Sequence, residues 1–388
     1  MSFAIGANMF FSKYINKIER QQLQAQLADW KLLYPGLGVL AILPEAEQSR
    51  VGDVQLACLS EGIPLQGAIF PKLIAAQQFV SSGVWLIGFA ICPAWFLVEN
   101  VESEQAVRHD LINRAIGHAL EECGSPSDAK TPPTLFLIFD SMTPTIGSLL
   151  TGIYHKFRKN LRYAGVNAGS ETFQPMPCLF DHEKVVENGL LGMILPDDLK
   201  VTLAHGYPTP KKSMQATSTS GNRIDKIDGK PAMEVYRNII REEYGIEITA
   251  DNFYDYAVHY PFGVVSALEV LVRIPVAFTE DGAIYCVGEI PPNSLLRLLR
   301  APQLQESECV STLVQGIAGN ASQADCALLF YCAGRRMHFG KQAEDELVEF
   351  KAQSGMKQIA GALSLGEITS DNVVDFPEFH NAAMVCIF

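Results

Sequence analysis

Short apolar runs recur along this chain, and three of them share the same sequel. The run VLAIL (39–43) leads to GIPLQGAIFPKLI (62–74) and GVWLIGFAI (83–91). TLFLIFD (134–140) leads to YAGVNAGS (163–170), MPCLF (176–180) and GLLGMIL (189–195). CALLFYC (326–332) leads to IAGALSLGEI (359–368) and AAMVCIF (382–388). Each copy reads as a strand, a helix, a glycine-punctuated turn and further strands. The interval from strand to glycine is about 30 residues each time, near the length of one strand–helix–strand unit. Three copies of similar length argue for duplication.

Helical periodicity fills the gaps. Ile146, Leu149, Leu150, Ile153, Phe157 and Leu161 lie on one apolar stripe. Val107, Leu111, Ala115, Ile116 and Leu120 predict a second stripe, after Ser103 as a candidate N-cap. PAMEVYRNIIREEYG places a proline at the helix start and Gly245 just past its end. In the first unit, Gly52, Asp53 and Gly62 leave the helix poorly defined. Links such as GAIFPKLI into GVWLIGFAI are too short for parallel crossovers throughout. The expected fold is therefore α/β: repeated strand–helix–strand–strand units in mixed, largely antiparallel sheets covered by helices.

Composition narrows the class. A chain of 388 residues with 48% hydrophobic content has enough apolar material for two cores. Its 43 acidic and 30 basic residues give a net charge of −13, which opposes nucleic-acid binding. The basic cluster Lys156, Arg158, Lys159 and Arg162 reads as a solvated helix face. Nine cysteines without a CxxC pair, mostly inside apolar runs, read as reduced, buried thiols. The amino terminus lacks the pattern of a secretory signal. The uncharged stretch 83–98 falls short of the roughly 20 residues of a spanning helix, and Pro93 interrupts it. Two buried strands meeting at Cys92-Pro93 account for it better. A cytoplasmic protein without membrane insertion is expected.

Two polar stretches mark seams, 124–133 and 208–230, the latter with Asp228-Gly229 as a hairpin turn. The chain then divides into a lead-in (1–35), a first module (36–204) and a second module (205–388).

Candidate chemistry gathers near the end of the chain. A strand runs into Cys332-Ala333-Gly334-Arg335, a glycine turn sets Glu367 beside backbone, and His380-Asn381 heads the closing strand. Strands ending in Arg, Glu and Asn predict a polar-lipped pocket for a small molecule. Arg335 offers a planar fork to a carboxylate, weighed against a salt bridge to Glu367 or Glu346. Arg273, inside VLVRIP, needs a partner if buried. Asn167 and Asn381 supply amide hydrogen bonds or simply turn chemistry. The eight histidines form no HxH or HxxxH pair. Cys332 and His338 could form a thiolate pair, but no oriented base or oxyanion site accompanies them. P-loop, GxSxG, HExxH and Rossmann fingerprints are absent from the sequence, so an enzyme is not expected.

The run CAGR (332–335), the turn GEI (366–368) and the strand FHN (379–381) resemble the C-terminal half of FIST proteins. So do 205–239, with its DGKPA turn into a helix, and 260–300, with Arg273 in a strand and an IPP turn. GVNAG (165–169) and His205-Gly206 resemble the N-terminal FIST module. The resemblance implies a non-catalytic cytoplasmic sensor that binds a small ligand, such as an amino acid or another small carboxylate, and signals to a protein on a separate chain. It implies ligand-binding roles for Arg335, Glu367, Arg273, Asn381 and Asn167, with Arg335→Ala removing binding but not stability. No cofactor is required. The alternatives are a haem-based nitric oxide sensor, with His205, His259 or His338 as axial ligand, and an interaction scaffold like the F-box-linked relatives. If the three units share ancestry, Gly67, Gly165–Gly169 and Gly361–Gly366 occupy equivalent strand starts, and the pocket lies between the modules.

Overall fold

The computed structural model describes residues 10–101, 105–124, 132–143, 145–195, 199–266, 269–318, 326–370 and 376–388. Its first unit comprises β1 (Phe10–Ile15), α1 (Arg20–Leu33), β2 (Gly38–Pro44), α2 (Val51–Ser60), β3 (Leu65–Phe70), β4 (Leu73–Ala75), β5 (Gln78–Val80) and β6 (Val84–Phe89). The second repeats that order: β7 (Ala94–Val98), α3 (Gln105–Cys123), β8 (Thr134–Asp140), α4 (Ile146–Phe157), β9 (Arg162–Ala168), β10 (Leu179–Asp181), β11 (Val185–Val186) and β12 (Leu190–Leu195).

The third unit opens with β13 (Val201–Ala204) and is then interrupted. The interruption holds β14 (Met214–Ser220), β15 (Arg223–Ile227), β16 (Lys230–Pro231), α5 (Ala232–Tyr244), α6 (Phe253–Ala257), β17 (Phe262–Val265), β18 (Val270–Arg273), β19 (Pro275–Phe278), β20 (Ile284–Cys286) and β21 (Leu295–Leu298). The third unit resumes with α7 (Cys309–Ala318), β22 (Cys326–Cys332), α8 (Ala333–Phe339), α9 (Ala343–Ser354), β23 (Gln358–Ser364), β24 (Glu367–Ser370), β25 (Pro377–His380) and β26 (Met384–Ile387).

The three units build three sheets of one design, ordered β1-β6-β2-β3-β10-β11, β7-β12-β8-β9-β24-β25 and β13-β26-β22-β23-β4-β5. Each has a single parallel pair, β2/β3, β8/β9 or β22/β23, linked by a helical crossover of one helix in the first two and two (α8 and α9) in the third. Each also receives its outer hairpin from another unit: β10–β11 on β3, β24–β25 on β9 and β4–β5 on β23. The exchange is cyclic, so each second strand, which would otherwise be an open edge, is paired. The expected direct link from β3 to β6 is thus a detour: β3 feeds a hairpin in the third sheet, and β6 returns to pair with β2.

Alternation along the first strands explains the packing. Phe136 and Ile138 of β8, with Leu328 and Phe330 of β22, face a core shared by all three sheets, where Phe330 lies 5.5 Å from Phe70 and 6.1 Å from Phe136. Leu135, Leu137 and Phe139 point the other way, under α3 and α4. Strands buried on both faces need the near-continuous apolar runs seen in the sequence. The uncharged stretch at 83–98 is β6 and β7, which belong to different sheets. The inserted strands form the fourth sheet, closed over its own core by α5. The Asp228-Gly229 turn joins β15 to β16 with both residues at positive φ, 49° and 78°.

Several expectations are corrected. The glycines occupy equivalent places, each paired across the parallel ladder (Ala41↔Gly67, Leu137↔Gly165, Leu329↔Gly361), but inside the second strand rather than at its start. The constraint there is close approach: a Cβ on Gly361 would lie 1.8 Å from the Leu329 carbonyl oxygen. The second stripe is rotated by one position. Arg108, Ile112, Ile116 and Ala119 are buried, whereas Val107 and Leu111 are exposed. Arg108 takes an apolar place because its long stem can be buried while its guanidinium donates to the Val101 carbonyl at 3.2 Å. Despite Gly52 and Asp53 in its first turn, α2 forms, docked by Val51, Val54, Ala57 and Cys58. Arg335 lies on α8, not at a strand end, and His380 closes β25 rather than opening the last strand. Ser103 and most of 124–133 fall outside the described residues.

Candidate functional site

The inserted sheet leans on the ring of three sheets, and polar contacts fasten it. The amino terminus of α4 leaves backbone donors without helical partners, and Glu289 of the inserted region satisfies them. It accepts from the Ser148 backbone N–H and hydroxyl, both at 2.6 Å. Arg273, 5% exposed at the end of β18, donates to the carbonyls of Val272, Glu289 and Phe379 at 2.9–3.0 Å. Burial lowers its pKa to about 10. A third link is a histidine pair, His259 Nδ1 to His338 Nδ1 at 2.6 Å, with His338 Nε2 at 2.7 Å from the Pro302 carbonyl.

Between these fastenings lies a cleft of about 640 Å³. One wall comes from the second unit: the loop 141–143, Ile146 of α4, Asn167 of β9 and the loop 171–174. Asn222, Tyr254, Val276 and Val287 of the inserted region form the other, and Phe379 of β25 contributes from the third unit. A narrower neck, sharing Glu171, Phe173, Tyr254 and Val287 with the cleft, continues to Cys332, Leu365 and Asn381. No lysine or arginine lines either part among the described residues, and the acidic group present is Glu171, 3.3 Å from Arg336. Three buried side-chain oxygens of lining residues make no hydrogen bond: Asn167 Oδ1, Asn381 Oδ1 and Thr143 Oγ1. Buried polar atoms in folded proteins are almost always paired, so three such atoms in residues lining one cleft mark an unmet demand for hydrogen-bond partners.

The residues expected to bind ligand divide into two sets. Asn167 and Asn381 line the cavity. Glu367 sits directly behind: the turn before it hydrogen-bonds to Asn167 through the Asn167 N–H to the Gly366 carbonyl and the Leu365 N–H to the Asn167 carbonyl. Its carboxylate turns inward, accepting from the Ser364 hydroxyl at 2.5 Å and the Ala383 N–H at 3.3 Å. Burial raises its pKa to about 8, against those bonds and the pull of Arg335. Arg335 does not line the cleft. Its guanidinium, 1% exposed, grips Glu346 at 2.8 and 2.5 Å and also donates to the His205 carbonyl and Ser307. Tyr331 donates to the same Glu346 at 2.7 Å. Arg273 lies behind the wall, over the Phe379 ring.

Other sequence candidates are placed apart. Cys332 is buried and its thiol is driven up by burial, while His338 is held by His259, so the two do not form a nucleophile–base pair. His205 accepts the Tyr207 N–H at 3.0 Å, and burial lowers its pKa to about 4. The rings named as haem ligands are thus engaged with protein groups. The cavity beside His259 and His338 is lined by Arg300, Gln303, Gln305 and Gln342 together with Tyr260, Leu304 and Phe339. Thr143, Phe173 and Val287 carried no periodic or motif signal because they lie in loops, and Tyr254 because α6 is too short, at five residues, to show a period.

Residues 37–230 match the FIST N domain and residues 232–370 match the FIST C domain. The chain belongs to the FIST family. FIST domains are associated with small-ligand sensing in signal transduction. No curated protein matches the chain.

Proposed function

We propose that this chain is a non-catalytic cytoplasmic sensor that holds a small donor-bearing ligand, an amine or amino acid, in the cleft between the ring and the inserted sheet. The reading rests on one observation: Asn167, Asn381 and Thr143, which line a cavity without lysine or arginine among the described residues, each carry a buried side-chain oxygen that makes no hydrogen bond. An ammonium or amide N–H meets that demand, and Ile146, Phe173, Val287 and Phe379 receive an apolar body. A simple carboxylate finds no cation there, so the amine end of the ligand is the recognised one. Nine free cysteines, seven of them buried, fit a reducing compartment. Among the described residues no helix is long and apolar enough to cross a membrane.

The position of the cleft supports signal transfer to a separate protein, because a ligand held by two bodies biases their relative orientation. The scaffold reading draws on Leu32, Leu33, Leu56 and Leu59, exposed on the adjacent helices α1 and α2. That surface suits an output partner as well as a scaffold. A thermal-shift screen over amines, amino acids and carboxylates tests the proposal. Amine-bearing compounds raise the transition by mass action, by about 2.7 kcal/mol at a hundred times the dissociation constant. A screen in which carboxylates alone stabilise the protein refutes the ligand class.

A further inference from the structure

On the far side of Phe379, three side chains converge that the ligand cleft does not use. Glu378 and His380 flank Phe379 on β25, so alternation along the strand turns both away from the face that carries Phe379. Glu269, which immediately precedes β18, approaches from the inserted sheet. One ligand atom from each of Glu269, Glu378 and His380 lies within 4.8 Å of the others. His380 is fully buried, and neither ring nitrogen makes a hydrogen bond. Its Nε2 nevertheless lies 3.4 Å from Glu269 Oε1, so the two groups face each other without the alignment of a hydrogen bond.

From this geometry we propose a divalent transition-metal site, with zinc the best-matched ion, formed by Glu269, Glu378 and His380. Zinc binds imidazole nitrogen and carboxylate oxygen at about 2.0–2.2 Å, so two donors on a tetrahedral ion stand about 3.4 Å apart. That is the observed His380–Glu269 separation. On such an ion each donor's lone pair points at the metal and not at the other donor, which accounts for a close contact that fails as a hydrogen bond. The donor set of one imidazole and two carboxylates favours zinc and its first-row neighbours over calcium or magnesium, which take oxygen alone. Ser266 donates to Glu378 Oε1 at 2.5 Å and supplies the outer hydrogen bond that orients a ligating carboxylate. Arg273, the nearby cation, donates its hydrogen bonds to the carbonyls of Val272, Glu289 and Phe379.

The site joins two bodies. Glu269 belongs to the inserted sheet, and Glu378 and His380 belong to the hairpin on the ring. A bound ion pins them together beside the residue that lines the cleft. The test is a zinc titration of chelator-treated full-length protein, followed by calorimetry and by the visible spectrum of the cobalt-substituted form. One ion per chain is expected, with affinity falling at least tenfold in both Glu269→Gln and His380→Ala and with a tetrahedral cobalt band that both substitutions abolish. Should His380→Ala fail to fold, Glu269→Gln still decides the matter, because Glu269 is 34% exposed and its replacement leaves the core intact. Substoichiometric zinc, or binding by Glu269→Gln equal to that of the native chain, overturns the site. Amine binding in the cleft is measured separately on metal-free protein, so either proposal can fail without the other.

Discussion

Arg335 and Glu346 are each 1% exposed and hold one another through two hydrogen bonds. Removing one partner of such a pair strands the other charge in the core, at a cost of about 3–5 kcal/mol. Arg335→Ala is therefore expected to depress the thermal transition sharply, and amine affinity in the protein that remains folded should change little. Unchanged stability would contradict this placement. Glu367 poses the opposite case. Its folded pKa, raised to about 8, lies above the ordinary value of 4.5. Between these values the unfolded chain has released a proton that the native chain retains, so this group's contribution is complete below pH 4.5 and is lost as pH rises through 8. Glu367→Gln, an uncharged near-isostere, should remove that slope and cost little near neutrality. Denaturant unfolding across pH 5–9 measures it, and an unchanged slope would count against a protonated carboxyl. Both residues stood out in the sequence as buried polar groups near a pocket. Glu346 was one of two candidate partners for Arg335, and the fold selects it; Ser364 was not legible, because it acquires meaning only once the β23–β24 turn is folded against Glu367.

Elements were more legible than contacts. The apolar runs 134–140 and 326–332 coincide with β8 and β22, and the stripe from Ile146 to Phe157 with α4. The repeated spacing to glycine marks a real equivalence, since all three glycines share one register in the parallel pair. Hairpin exchange was illegible, because a strand three residues long carries no signal for which sheet it joins. The phase of α3 was misread for a related reason: a long arginine stem fills an apolar position that a hydrophobicity pattern leaves blank. The glycine register makes a clean prediction. A Cβ on Gly361 meets backbone oxygen that cannot rotate away, so Gly361→Ala should destabilise by about 3 kcal/mol through overpacking. Gly52, in α2, has no atom near its missing Cβ. Gly52→Ala should be neutral or stabilising by up to about 1 kcal/mol. Equal effects of the two substitutions on chemical denaturation would contradict the close-approach explanation.

At the scale of the molecule, the cleft exists because one unit of a threefold ring is interrupted by a second sheet. The ring supplies a rigid wall ending in Asn167 and Phe379, and the insertion supplies a wall held by Glu289, Arg273 and the His259–His338 pair. Sequence spacing pointed to a pocket between modules and to the two asparagines, while the loops that complete it came from no motif. The central claim is that Asn167 recognises the donor end of a small ligand in this cleft. Isothermal titration of the strongest amine from the thermal screen, against the native chain and Asn167→Leu, tests it most directly. The account predicts an affinity at least tenfold weaker in Asn167→Leu, with cooperative unfolding retained; equal affinity in the two proteins would contradict it.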